Sequence, residues 1–246
     1  ELDGTASMDD HKLTLTGGFG TLVFDGHGGS SAFGAIDDKT PNAYEEAWDI
    51  IDTNGSTSGG TPTVINGVSA NNMFIYTTPD MGGASLTASY INGGGSDAAP
   101  EGSTSFAVKV SPEMMDGLTI GAGVSDNTEA ESTDVEETTI YATYATGGFT
   151  IGVQSSDRDH TTAGSDLESI AYGITYAVND DMSIGYSYHE LETESTTDED
   201  QESSGISASY TMGGMTLAGA MNDSDNMGGV AATDREGYEF TLSFAF

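Results

Sequence analysis

An all-β, membrane-spanning, up-and-down antiparallel barrel is the fold class this chain predicts, and three observations predict it. The first is how the chain ends. Tyr238, Phe240, Leu242, Phe244 and Phe246 are apolar, with Glu239, Thr241, Ser243 and Ala245 between them, so two-residue alternation runs to the last residue. A strand with one face in lipid and the other in water calls for that pattern, whereas the end of a water-soluble chain ordinarily frays into solvent. The second is an alternation in connection length. Short turns at Gly17-Gly18, 79–83, 112–116, Gly147, Asn179-Asp180 and Gly213-Gly214 interleave with longer polar segments at 26–71, 93–102, 126–136, 157–167, 192–202 and 223–235. Short turns at one rim and long loops at the other mark a bacterial outer-membrane barrel. The third is charge: acids crowd the segments between strands, at Glu129 to Glu137 and at Glu190 to Glu202, and strand centres are almost uncharged.

In chain order, thirteen strands are expected, at 11–16, 19–25, 72–78, 84–92, 103–111, 117–125, 137–146, 148–156, 168–178, 181–191, 203–212, 215–222 and 236–246. Alternation is clearest in Ile170, Tyr172, Ile174, Tyr176 and Val178, and in Met182, Ile184, Tyr186 and Tyr188. It recurs in Phe106, Val108 and Val110, and in Leu118, Ile120, Ala122 and Val124.

Composition agrees. The 246 residues are only 36% hydrophobic, with 34 glycines and 5 prolines. No apolar run approaches the roughly 20 residues of a transmembrane helix, so any span must be built of strands. Cysteine is absent, which excludes disulfides, thiolate metal sites and cysteine nucleophiles. Forty acidic residues against five basic ones give a formal net charge of −35, a field that repels nucleic acid and concentrates cations. No signal peptide opens the chain, so the sequence is expected to be processed or incomplete at its start.

Residues 26–71 stand apart. This stretch carries Phe33, Ile36, the single tryptophan (Trp48) and a short segment of helical character from Ala43 to Ile51. A connection this long is usually functional. Inside a wide barrel it can fold inward, anchored by Phe33, Ile36 and Trp48, with its carboxylates facing the channel.

The glycine-punctuated hairpin Lys12–Asp25, the acidic loop after it and the terminal Phe246, in that order, resemble the trimeric general-diffusion porins, particularly those of alphaproteobacteria. The resemblance spans essentially the whole chain as an architecture. It implies a barrel of about sixteen strands, in which residues 11–246 supply the fourth to the sixteenth, 26–71 is the inward-folded constriction loop, and residues 1–10 belong to the second external loop. Roughly the first three strands would then precede the chain. It implies a water-filled channel for passive diffusion of ions and small hydrophilic solutes, a homotrimer, contact with outer-membrane lipid and lipopolysaccharide, and no catalysis. By the same resemblance, Asp37, Asp38, Glu45, Glu46, Asp49 and Asp52 form the acidic side of the constriction, and Phe246 is the signal read by the assembly machinery. General porins oppose such acids with a basic cluster on the wall. This chain has only Lys12, Lys39, Lys109, Arg158 and Arg235. Lys109, between Val108 and Val110, is the best placed of them to face water. So few bases imply a preference for cations.

No cofactor is expected. Clustered carboxylates such as Asp198-Glu199-Asp200 are a candidate for loosely held calcium. Histidines 11, 27, 160 and 189 lack metal-ligand spacing and are read as rim or channel residues. Ala122, Ala142, Ala208 and Gly219, small residues on the apolar stripe, permit close packing between barrels. Two other classes compete. One is a secreted, acidic, calcium-dependent surface or adhesin protein. The other is an outer-membrane enzyme, for which the paired Asp159-His160 and Asp10-His11 offer no nucleophile signature.

Overall fold

β-Branched and aromatic residues alternating with glycine, serine and alanine produce, in the computed structural model, a thirteen-stranded antiparallel sheet and two small two-stranded sheets. The structure describes residues 2–3, 7–8, 11–49, 62–92, 102–130, 133–194 and 199–245. Its strands are β1 (Leu2–Asp3), β2 (Ser7–Met8), β3 (Lys12–Gly17), β4 (Gly20–Asp25), β5 (Gly29–Ser30), β6 (Ser69–Ala70), β7 (Met73–Thr77), β8 (Ala84–Ile91), β9 (Gly102–Val110), β10 (Leu118–Ala130), β11 (Thr133–Thr146), β12 (Phe149–His160), β13 (Leu167–Asn179), β14 (Met182–Thr193), β15 (Gln201–Met212), β16 (Met215–Asp225) and β17 (Arg235–Phe244). Thirteen of them form the main sheet, in the order β17-β16-β15-β14-β13-β12-β11-β10-β9-β8-β7-β4-β3, while β1 pairs β2 and β5 pairs β6. Each main strand pairs with its neighbours along the chain, the up-and-down order expected, and all thirteen expected strands are present.

The tight turns have a backbone reason. Gly147 (φ +56°) and Gly148 (φ +86°), which join β11 to β12, both lie in the left-handed region. A type I′ hairpin turn, whose twist matches that of the strands, needs positive φ at both positions, which glycine adopts freely.

Burial is inverted relative to a soluble protein. Phe240 is 73% exposed, and Ile206, Leu217, Met221 and Tyr238 are also exposed, while Ser203, Ser224 and Gln201 are 0% exposed. Tyr172 stacks on Tyr188 with centroids 4.9 Å apart, and Phe149 on Tyr176 at 4.4 Å, so even the exposed aromatics form an ordered surface. An apolar face of this extent on a water-soluble protein would drive association; against hydrocarbon it is the stable arrangement. That contrast gives no support to the secreted, acidic, calcium-dependent surface or adhesin alternative.

Two expectations change. Strands reach further into the acidic segments than expected: β10 continues to Ala130, β11 begins at Thr133 and β12 runs to His160. Backbone pairing does not need an apolar side chain, so a hairpin can carry its hydrogen bonds into water with charged residues on it. Residues 43–49 are turns and bends, not the helical segment expected from Ala43 to Ile51; Ile50 and Ile51 lie outside the described residues. Their backbone groups are satisfied by the sheet instead. Ala43 N–H donates to Ser207 Oγ (3.0 Å), and Asn222 Nδ2 donates to the carbonyls of Glu46 (2.7 Å) and Asp49 (2.8 Å).

The chain divides into two compact units, Glu1–Asp38 with Asn66–Ile140 and Asp157–Ala163, and Lys39–Ile65 with Tyr141–Ser156 and Gly164–Phe246. Each carries part of the segment 26–71, which is an excursion between the directly paired strands β4 and β7.

Candidate functional site

In the first unit, the pairs Gly29↔Ala70 and Ser30↔Ser69 close the base of the excursion. Beyond them the segment lies on the polar face of the sheet. Ser89 of β8, Ser105 of β9 and Ser125 of β10 form one register row. Ala32 N–H donates to Ser89 Oγ (2.9 Å) and Phe33 N–H to Ser105 Oγ (3.2 Å). Phe33 is wholly buried and Ile36 nearly so, as expected of anchors. Asp37 is committed to the segment itself, since its Oδ2 accepts from Gly67 N–H on the returning arm (2.5 Å). Asp38 is half-buried beside it.

Lys109 shares the parity of Ser103, Ser105 and Ala107, which puts it on this polar face. It is exposed, close to the turn after β9, in register with Ser85 and Gly121. Further along the same face Asn127 Nδ2 donates to Glu137 (3.0 Å), and Arg158 Nε lies 3.8 Å from Glu137 Oε1. Glu137 and Arg158 were not anticipated as partners, because strand parity alone does not say which polar residues meet.

In the second unit the segment continues across the sheet. Lys39 N–H donates to Gln154 Oε1 on β12 (2.8 Å), and Ala43 N–H to Ser207 on β15. Trp48 packs on His189 of β14 with ring centroids 5.0 Å apart. His189, read as a rim or channel residue, lies on the wet face but is buried there under the segment. The returning arm is clamped by Gln201, whose Oε1 accepts from Thr63 N–H (2.7 Å) and whose Nε2 donates to Thr63 O (2.9 Å).

Here the carboxylates gather. Glu45, Glu46 and Asp49 each bring an oxygen within 4.8 Å of the others. Glu46 accepts from the Asn42 side-chain amide, Glu45 is half-buried and Asp49 exposed. Burial, then the neighbouring Asp49 charge, raise the Glu45 pKa above its ordinary value. Tyr44 O–H donates to Glu239 Oε1 on β17 (2.5 Å), and Thr241 Oγ1 lies 2.5 Å from the same phenol and donates to Glu239 at 2.8 Å. Accepting from the phenol, Glu239 raises the Tyr44 pKa and keeps it a donor. Glu239 on the wall and Glu45 on the segment thus both act on Tyr44, and Glu46 and Asp49 gather with Glu45. Such an arrangement attracts cations and repels anions. Asp52 and Phe246 lie outside the described residues, as does Asp198 of the acidic run considered for calcium. Glu239 and Asn222 were missed, although a polar residue on the wet parity of a late strand was a signal for both.

Asn222 is nearly buried, and its two donated bonds hold the segment at its acidic turn. Asn222→Ala leaves the Glu46 and Asp49 carbonyls without them, at a cost of about 1–3 kcal/mol. The expected result is faster limited proteolysis between residues 40 and 65, with the barrel itself intact on a heat-modifiability gel.

A family model for the Gram-negative porin matches residues 2–228. No curated protein sequence matches significantly. Solved structures of like fold include the anion-selective porin from Comamonas acidovorans (TM-score 0.72, 17% identity, 96% of this chain and 77% of that one). Outer-membrane expressed OmpT of Vibrio cholerae is another (0.65, 16%, 97% and 80%), as is Salmonella typhi OmpF in complex with daunomycin (0.65, 11%, 92% and 74%). At these identities the structures speak to the fold alone. The exposed apolar face, the wet face bearing a long excursion, and a family match across most of the length lead to one conclusion: the chain belongs to the Gram-negative porin family, a β-barrel channel of the outer membrane.

Proposed function

We propose that the protein is a passive, cation-preferring diffusion pore for ions and small hydrophilic solutes, with residues 26–71 as its constriction loop and no catalytic step. The observation that carries this reading is the placement of Glu45, Glu46 and Asp49 together on the segment that covers the wet face of the sheet. Lining charge sets selectivity in a narrow aqueous conduit, and the chain has 40 acids against 5 bases to set it. One fold carries either sign: the Comamonas acidovorans porin of like fold is described as anion-selective, so the lining charges, and not the fold, decide.

A homotrimer completes the proposal. A Vibrio cholerae OmpT structure of like fold is described as a trimer form. On the outer face here, Ala208 and Gly219 sit side by side in register, small enough for close packing against a neighbour.

Planar-bilayer recording across a salt gradient tests both points. Conductance steps grouped in threes, with a reversal potential on the cation side, are expected. An anion-side reversal potential would overturn the selectivity, and a silent bilayer from folded protein would overturn the channel.

A further inference from the structure

Glycine inside a strand weakens it, by losing more backbone freedom on folding than any other residue and offering no side chain to pack. Four wet-face glycines in the second unit, Gly152, Gly173, Gly185 and Gly205, occupy strands β12 to β15, and none has a positive φ that would require glycine. Space explains them. A Cβ on Gly173 would stand 2.3 Å from the Pro41 carbonyl oxygen, and one on Gly152 would stand 2.4 Å from Pro41 Cδ. On Gly185 it would meet Ala43 N at 2.9 Å. On Gly205 it would meet Asn222 Oδ1 at 2.1 Å and Ala47 Cα at 3.2 Å.

Gly173, Gly185 and Gly205 also lie on two neighbouring register rows. Gly173, Ser187, Gly205 and Asn222 form one row from β13 to β16; Thr175, Gly185, Ser207, Ala220 and Glu239 form the next, from β13 to β17. Residues 41–49 lie along these two rows, with backbone against glycine and hydrogen-bonded to the polar residues between: Ala43 to Ser207, Glu46 and Asp49 to Asn222.

We infer that this glycine track is a positioning device for the loop. By removing each Cβ on the path, it lets the loop backbone sink against the wall by the thickness of a methyl group, and so sets how far the acidic turn projects into the conduit. The track rests on the constriction role proposed above and adds the residues that determine its bore. Gly152 and Gly173 are the most telling pair, because both touch Pro41 but by different atoms. At Gly152 the nearest obstacle is the proline ring, with the flexible end of Thr143 at 3.1 Å; at Gly173 it is the backbone carbonyl, present whatever residue occupies position 41.

Single-channel conductance of four variants in the full chain, each measured with and without Pro41→Ala, tests this. Gly152→Ala and Gly173→Ala are expected to lower conductance by lifting the loop into the conduit. Gly18→Ala, where an added Cβ meets nothing within 4 Å, is expected to match the parent. Pro41→Ala is expected to restore Gly152→Ala to the level of Pro41→Ala alone and to leave Gly173→Ala depressed. A general loss of barrel integrity would not show that asymmetry. Ser207→Ala, which adds no atoms and frees Ala43 N–H, is expected to increase open-channel current fluctuation without lowering the mean. Conducting parent channels with unaltered conductance in Gly152→Ala would overturn the track while leaving the pore intact. A parent that does not conduct would overturn the pore reading instead.

Discussion

Replacing Glu45, Glu46 and Asp49 together by Gln, Gln and Asn should lower cation permeability about tenfold, and lower the cation-to-anion ratio with it. A monovalent cation passing about 5 Å from one carboxylate gains roughly 0.8 kcal/mol in water. Three such charges, screened over a Debye length of about 8 Å, leave about 1.3 kcal/mol, near a factor of ten. The measurement is the shift of reversal potential in a fixed salt gradient, and an unchanged reversal potential would show that the cluster does not line the conduction path. Acidity should reproduce part of the effect. Because burial and Asp49 raise the Glu45 pKa, its charged form is the disfavoured one, and Glu45 takes up a proton at a higher pH than a free glutamate. Cation preference should therefore begin to decline while pH is still above 4.5, the ordinary glutamate value. In Glu45→Gln that early part of the decline should be missing.

Ile206→Arg should prevent assembly or severely destabilise the barrel. Ile206 stands at the middle of β15, 56% exposed, on the face opposite Ser207. Arginine on the lipid face near the bilayer midplane costs about 2–4 kcal/mol, whereas Ser209→Arg, of the opposite parity, should be tolerated. The test compares the heat-modifiable, folded fraction recovered from outer membranes. Equal recovery of the two arginine variants would mean that the Ile206 face does not meet hydrocarbon.

That pair of variants also marks what was legible in the residues. Which face of β15 is wet follows from parity, because side chains alternate strictly along a strand, and Ile206, Ala208 and Tyr210 could be assigned against Ser203, Gly205 and Ser207 with no structure. The turns were equally plain, since Gly147-Gly148 names its own geometry. The stretch from Ala43 to Ile51 misled for a physical reason. Its helical composition expresses a local preference, and the described part of it is governed by Ser207 and Asn222, more than 160 residues away in the chain. Asp37 is a milder case: its acidity was obvious, but its use as an acceptor for Gly67 N–H depends on where the returning arm lies.

The sequence by itself determined the strand order, the wet and apolar faces, the membrane setting and the segment that carries the acids, because each depends on residues close together in the chain or on a period of two. Tertiary structure alone decided which carboxylates gather about Tyr44 and Glu239, that His189 lies under Trp48, and that four strand glycines are a seat for Pro41, Ala43 and Ala47. Those contacts join positions far apart in the chain. Their partners are chosen by sheet register and close approach, which no local pattern records.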